Sequence, residues 1–181
     1  MKYLSSDVTL GSVTKDDLAR VIKILDGEKK YSGFISRITK DFNQSQDKGI
    51  PVAMQAFFVD EKEEDVGFCV ISISPIKMKE WEKTFKEESW VKKDFQINIS
   101  SFELMYLYVK PYFRAKGFGS KLFNQVLNYA KKTNIKAIYA FVSDTNKNSF
   151  NFYKKHGASV MYSTSDEKQS NLSAFLMWKV T

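Results

Sequence analysis

The sequence predicts an α/β fold of the α+β type, laid out as strand, two helices, three strands, helix, strand, helix and two strands. Three observations carry this expectation. Short runs of alternating or continuous apolar residues interleave with segments whose apolar residues recur at helical spacing. The 181 residues are 43% hydrophobic and 15% aromatic, which suits a globular chain with a real core rather than a disordered one. An apolar strand run over 102–109 leads through Pro111 to Gly117 and Gly119, which open an amphipathic helix. No repeat, linker or low-complexity segment appears, so residues 1–181 are expected to form a single domain.

Taken in order, residues 7–13 alternate as a first strand. Thr14-Lys15-Asp16-Asp17 matches a helix start, with Thr14 as cap and Asp17 at the third helical position. Leu18, Val21, Ile22 and Leu25 form that helix's apolar stripe, and Gly27 ends it. Tyr31, Phe34, Ile35, Ile38 and Phe42 space a second helix, followed by a loop at 45–49. Strands at 52–59 and 66–74 are joined by the acidic run 61–65, a solvated hairpin tip without the spaced ligands of a calcium loop. Residues 77–94 are charged, with Met78, Trp81 and Phe85 on one helical face. A strand over 97–109 precedes the glycine-opened helix, whose stripe is Leu122, Phe123, Val126, Leu127 and Ala130. A strand at 136–142, a short helix at 148–155 stopped by Gly157, and strands at 158–163 and 172–180 complete the chain.

The loop at 109–122 carries the chemistry. Glycines without side chains let backbone N–H groups crowd around an anion, and a helix start adds unpaired N–H groups and the positive end of its dipole. Arg114 and Lys116 are the charged partners for a pyrophosphate held there. Only three of the 28 basic residues are arginines, Arg20, Arg37 and Arg114, so a forked, permanently charged donor stands at this loop in a chain that otherwise uses lysine. Two rival phosphate sites fail on spacing. A dinucleotide fingerprint starting at Gly117 needs a small residue where Leu122 stands, and a Walker A loop needs Gly-Lys-Ser/Thr where the order is Lys116-Gly117.

Composition limits the alternatives. No apolar run reaches 18 residues, so no membrane span is expected. The N-terminus has no apolar stretch of signal-peptide length, and the single cysteine, Cys69, reads as a small buried hydrophobe; a cytoplasmic location follows. The net charge of +7 is spread over lysines mixed with acids. It reads as a solvated surface ahead of a nucleic-acid patch, and it argues mildly against polycationic acceptors.

With the loop in place, the element order resembles the GNAT superfamily of N-acetyltransferases. The family's acyl-CoA motif, Arg/Gln-x-x-Gly-x-Gly/Ala, is matched by Arg114-Ala115-Lys116-Gly117-Phe118-Gly119. A second pattern, a strand followed by Asn and then Phe-Tyr before a glycine, is matched by Val142 to Asn146 and Phe152-Tyr153 to Gly157. The resemblance implies a mixed, mostly antiparallel sheet of six to seven strands flanked by helices and splayed between its two central strands. It implies acetyl-CoA as co-substrate, no metal, and an amine of a small molecule or peptide as acceptor. The backbone of Leu107, Tyr108 and Val109 would pair with the pantetheine arm like an added strand. The amides from Arg114 through Ala115, Lys116, Gly117, Phe118 and Gly119 to Ser120 would hold the pyrophosphate. Asn146 would hydrogen-bond the cofactor at the splay, and Tyr153 would lie near the sulfur and protonate the leaving thiolate.

An amine is mostly protonated at neutral pH and attacks only when neutral, so the acceptor needs a base. Glu103, in an otherwise apolar strand, is the candidate, since a carboxylate there is costly unless paired, wet or useful. Some family members carry their base at this position; the alternative is a strand-end glutamate pointing into water. Strand alternation puts Glu103 on one face with Met105, Leu107 and Val109. His156 reads as a helix-end residue rather than a catalyst, and Cys69 lacks a base partner for covalent catalysis. The long connection at 75–96 lines an acceptor pocket, forms an oligomer interface such as a homodimer's, or covers a sheet edge. A CoA-binding or protein-interaction module without turnover, and a basic nucleic-acid-binding protein, are the rival functions.

Overall fold

The computed structural model describes residues 13–25, 32–143, 146–163 and 174–181. Its elements are α1 (Lys15–Leu25), α2 (Ser32–Lys48), β1 (Ala53–Glu61), β2 (Glu64–Ile73), α3 (Pro75–Glu87), β3 (Ser101–Val109), α4 (Phe118–Lys132), β4 (Ala137–Val142), α5 (Lys147–Lys155), β5 (Ser159–Ser163) and β6 (Ala174–Lys179). Of the expected first strand only Val13 is described, and its amide donates to the carbonyl of Met54 on β1. The rest of that strand and the Gly27 stop lie outside the described residues.

The strands form one mixed sheet in the order β1-β2-β3-β4-β6-β5. All neighbours are antiparallel except β3 and β4. Alternation along the strands feeds two faces. On one, Leu122, Phe123, Val126 and Ala130 of α4 and Tyr153 of α5 pack on Cys69, Ile71, Phe102, Leu104, Ile138 and Leu176. On the other, Val21, Ile24 and Leu25 of α1 and Ile38 and Phe42 of α2 cover Phe68, Val70, Tyr106 and Tyr108. Beside them, Met78 and Phe85 of α3 cover Tyr139 and Phe175. Each fully buried side chain of this kind contributes about 1.5–3 kcal/mol. No helix among the described residues is long and apolar enough to cross a membrane.

Local signals hold closely. Thr14 and Asp17 form a reciprocal cap: the Asp17 amide donates to Thr14 Oγ1 at 3.1 Å, and the Thr14 amide donates to Asp17 Oδ2 at 2.9 Å. The expected loop at 45–49 is mostly helical instead. α2 runs on to Lys48 because polar residues without Gly or Pro do not stop a helix, and Gly49, at φ +60°, ends it. The 75–96 connection resolves into α3 and a return segment lying over the face of β4, β6 and β5, not their edge. Trp81 meets Phe175 edge-on at 5.3 Å, and Trp90 stacks on Tyr162 at 4.5 Å. Glu82 fixes the return by accepting from the Ile97 amide at 2.7 Å and from Lys86 at 2.8 Å. Burial alone would raise Glu82, but these two donors outweigh it and hold the carboxyl below its ordinary value.

The acidic hairpin tip is only partly a solvated turn. Arg20 of α1 grips Asp65 through Nε at 2.9 Å and a second guanidinium nitrogen at 2.6 Å, with its head 3.8 Å from the Phe58 ring centre. The Arg20 hydrogen bond holds Asp65 below its ordinary value. A carboxylate depressed by folding stabilises above its unfolded pKa and loses that contribution as pH falls through the folded one. Because the pair is partly exposed, Asp65→Asn is expected to cost only about 0.5–1 kcal/mol at neutral pH. The cost should fade on acidification below about pH 4; urea melts at the two pH values check it.

Candidate active site

β3 and β4 are held together at only three positions, Ser101↔Ala137, Phe102↔Ile138 and Glu103↔Tyr139. Beyond Glu103 they part. On its far side β3 stays paired with β2 as far as Gly67↔Val109. On its near side no described strand pairs with 104–109, so the backbone of Leu107, Tyr108 and Val109 borders an opening. Backbone groups on such an edge must be met by solvent or by a ligand, and an extended chain can add itself there as a strand.

The loop follows directly. Pro111–Phe113 make a short 3-10 turn, Arg114 is extended, and Ala115 and Gly117 are left-handed at φ +60° and +88°. Left-handed residues alternating with extended or right-handed ones curl the amides into a concave nest. α4 then starts at Phe118, and its first intrahelical bond runs from the Lys121 amide to the Gly117 carbonyl at 3.0 Å. The amides of Phe118, Gly119 and Ser120 therefore have no partner within the helix and open toward the nest. A Cβ on Gly119 would lie 3.2 Å from the Phe152 ring, so glycine there lets α4 and α5 approach closely.

The two charged residues of the loop are partly occupied within the protein. Arg114 Nε donates to the Val109 carbonyl at 2.9 Å, and its guanidinium lies 5.6 Å from the Tyr108 ring centre. It fastens the loop to the end of β3 while remaining beside the nest. Lys116 sits 4.4 Å from the Tyr112 ring centre.

α5 borders the same opening. Asn146 is its N-cap, accepting from the Ser149 amide at 3.3 Å, which leaves the side-chain amide nitrogen as its group for a ligand. Tyr153 is buried at 8% exposure, packed edge-on against Trp178 at 5.4 Å and Phe152 at 5.5 Å. Burial, with a smaller contribution from the neighbouring Cys69, pushes its phenol well above the usual value. Its hydroxyl has no hydrogen bond to any described residue.

Glu103 occupies a different place from the one alternation gives it. The β2–β3 register slips between Val70↔Tyr106 and Ile71↔Leu104, so Met105 is an extra residue, a β-bulge. Beyond it every side chain changes face. Leu107 and Val109 join Leu104 on the α4 side, whereas Tyr106 and Tyr108 face α1 and α2. Glu103, opposite Leu104, faces the seam between the α1–α2 cluster and α3, so it does not share a face with Leu107 and Val109. Nor does it point into water: it is 5% exposed, accepts from Ser72 Oγ at 3.3 Å, and is ion-paired with Lys77 in the first turn of α3. A second carboxylate, Asp41, lies near this seam and accepts from Tyr106 at 2.6 Å.

The profile of the acetyltransferase (GNAT) family matches residues 32–158. The chain belongs to the GNAT acetyltransferase family. An uncharacterized N-acetyltransferase of Methanocaldococcus jannaschii, MJ1207, is 25% identical over 150 residues, 82% of this chain. The chain spans 59% of that relative's length. Among solved structures, a GNAT-family protein of Desulfovibrio desulfuricans superposes with a TM-score of 0.65 at 13% identity, covering 94% of this chain and 96% of that one. A PaiA N-acetyltransferase of Thermoplasma acidophilum in complex with coenzyme A gives 0.57 at 18% identity, covering 93% and 95%. The NatC complex bound to Gag peptide and CoA gives 0.59 at 16% identity, covering 96% and 97%.

Within this GNAT fold, His156 joins α5 to the start of α4. Its Nδ1 lies 2.8 Å from the Phe152 carbonyl and its Nε2 lies 3.0 Å from Ser120 Oγ. Cys69 is fully buried, and burial pushes its thiol far up, which makes it inert. Sequence reasoning missed Lys77 and Ser72 as partners of Glu103. The one local signal for Lys77 is a cation in a helix's first turn, where acids are ordinarily favoured.

Proposed function

We propose that this GNAT-family chain is an acetyl-CoA-dependent N-acetyltransferase that moves an acetyl group directly to a primary amine of a small molecule or peptide. The observation that carries the reading is the parting of β3 and β4 beyond Glu103, which leads along the unpaired edge of β3 to the left-handed turn and the unpaired amides at the start of α4. The nest suits a diphosphate, because left-handed backbone at 115 and 117 and three unpaired helix amides converge there. Leu107, Tyr108 and Val109 would hold the pantetheine amides, the backbone from Arg114 to Ser120 the diphosphate, and the Asn146 amide nitrogen a carbonyl of the arm. When bound, acetyl-CoA supplies an acyl group activated as a thioester. Glu103 draws the proton from the acceptor ammonium, a β3 amide steadies the developing oxyanion, and Tyr153 returns a proton to the departing sulfur. Direct transfer is supported by the inertness of Cys69. The relatives complexed with CoA and with peptide support the co-substrate and a peptide-like acceptor as one option.

The deciding experiment mixes the protein with acetyl-CoA and a panel of primary amines and follows thiol release. Acceptor-dependent release supports the enzyme, whereas tight CoA binding with no release on any amine reduces the protein to a binding module. Gly117→Ala is expected to weaken CoA binding about tenfold, since a Cβ at φ +88° costs about 1–2 kcal/mol in the conformation the nest requires; calorimetry reads it. Unchanged affinity would remove the nest from the site.

A further inference from the structure

We propose that Lys77 is a self-acetylation site: its side-chain amine occupies the acceptor position of the chain's own active centre. The inference rests on the acetyltransferase reading above. It starts from a contact that the cofactor half of the site does not explain. Lys77 Nζ donates to Glu103 Oε1, the carboxylate assigned to take the acceptor's proton. Glu103 is also the last residue of β3 paired with β4, so this amine sits where the strands begin to part, the point at which base and thioester have to meet.

The two partners are unequal in burial. The Glu103 side chain is 6% exposed and fixed by its strand, whereas that of Lys77 is 43% exposed on a flexible stem. The Lys77 ammonium also lies 4.9 Å from the Trp81 ring centre, the way an aromatic wall receives a cationic ligand. Its location in the first turn of α3, a turn without acids, gives no helix-dipole reason for a cation. An ammonium steered by an aromatic face onto a buried carboxylate is what a bound primary amine would look like.

The reaction balances with acetyl-CoA alone. Glu103 takes a proton from the Lys77 ammonium, the freed nitrogen lone pair attacks the thioester carbonyl, a C–N bond forms and the C–S bond breaks. CoA leaves as the thiol with a proton from Tyr153, and the second proton lost by the nitrogen restores the phenol. Lys77 becomes a neutral amide, with Glu103 left protonated until it releases its proton to water. The modified side chain no longer competes with an external ammonium for Glu103, so acetylation releases the acceptor position.

The test incubates the full chain with acetyl-CoA and no acceptor, then maps modified peptides by mass spectrometry over time. Lys77 is expected to gain one acetyl group at least about a hundredfold faster than any exposed lysine, because delivery is intramolecular. The rate should be independent of protein concentration and should fall when a good amine acceptor is added in excess. Lys77→Arg keeps a cation against Glu103 and should abolish the fast phase while leaving CoA binding intact. Acetylation of an added amine with Lys77 unmodified would overturn the inference and leave the enzyme reading standing. So would acetylation scattered evenly over surface lysines, or a rate proportional to protein concentration. No acetylation of Lys77 or of any amine would remove both together.

Discussion

Tyr153→Phe is expected to lower acetyl transfer about 10²–10⁴-fold, the range for losing a positioned general acid, while coenzyme affinity and thermal stability stay at wild-type values. The two halves of this expectation have different origins. Stability is kept because the ring contacts to Trp178 and Phe152 need no hydroxyl, and the hydroxyl bonds to no described residue. Removing a buried polar group that lacks a protein partner is neutral or stabilising. Activity is lost because the departing thiolate has no other phenol assigned to it. Burial raises the Tyr153 pKa, so the proton stays in place beyond an ordinary tyrosine's value of about 10. The sign follows: the wild-type rate should show no alkaline fall from Tyr153 at any pH below about 10. A variant turning over at the wild-type rate would take the phenol out of the chemistry.

Most of the fold was legible because its signals are local. The Thr14–Asp17 cap, the stripe of α4 and the continuous apolar run of β4 each follow from residues within one element, and each stands where the sequence puts it. The end of α2 and the path of 88–100 were not legible. The first depended on the absence of a stop signal, and the second on Glu82 reaching a backbone amide fifteen residues on, a contact no spacing encodes.

The loop proposed to hold the cofactor was legible as a backbone feature for the same reason. A glycine turn is built from consecutive residues, and Gly117 and Gly119 announce it, although the left-handed backbone at Ala115 has no signal in the sequence. The acceptor half was not. Whether Glu103 looks toward α4 or toward α3 turns on Met105 being a bulge, and Met105 is an ordinary strand residue whose displacement appears only against β2. The partners of Glu103 come from β2 and α3, 31 and 26 residues away. A costly buried carboxylate could be identified from sequence as needing a partner; the partner itself could not.

Glu103→Gln is expected to lower kcat/KM about 10²–10³-fold at neutral pH, and to recover progressively as pH rises toward the acceptor's own pKa near 10.4. Without a base the rate follows the small neutral fraction of the amine, which grows about tenfold per pH unit until that value is reached. Loss of the Lys77 partner is a separate matter, and the geometry keeps the two apart. Breaking an ion pair costs about 3–5 kcal/mol when the survivor is a buried, uncompensated charge. In Glu103→Gln the survivor is Lys77, at 43% exposure, which can turn to water, so the variant should fold with a loss of about 1 kcal/mol or less. In Lys77→Met the survivor is the 6% exposed carboxylate with only the Ser72 hydroxyl at 3.3 Å, and that variant should be the less stable of the two. A thermal melt therefore ranks the pair one way and the pH profile of Glu103→Gln reads the chemistry. If the ratio of variant to wild-type rate stays flat from neutral to alkaline pH, Glu103 serves to hold α3 against the sheet and the acceptor's proton leaves by another route.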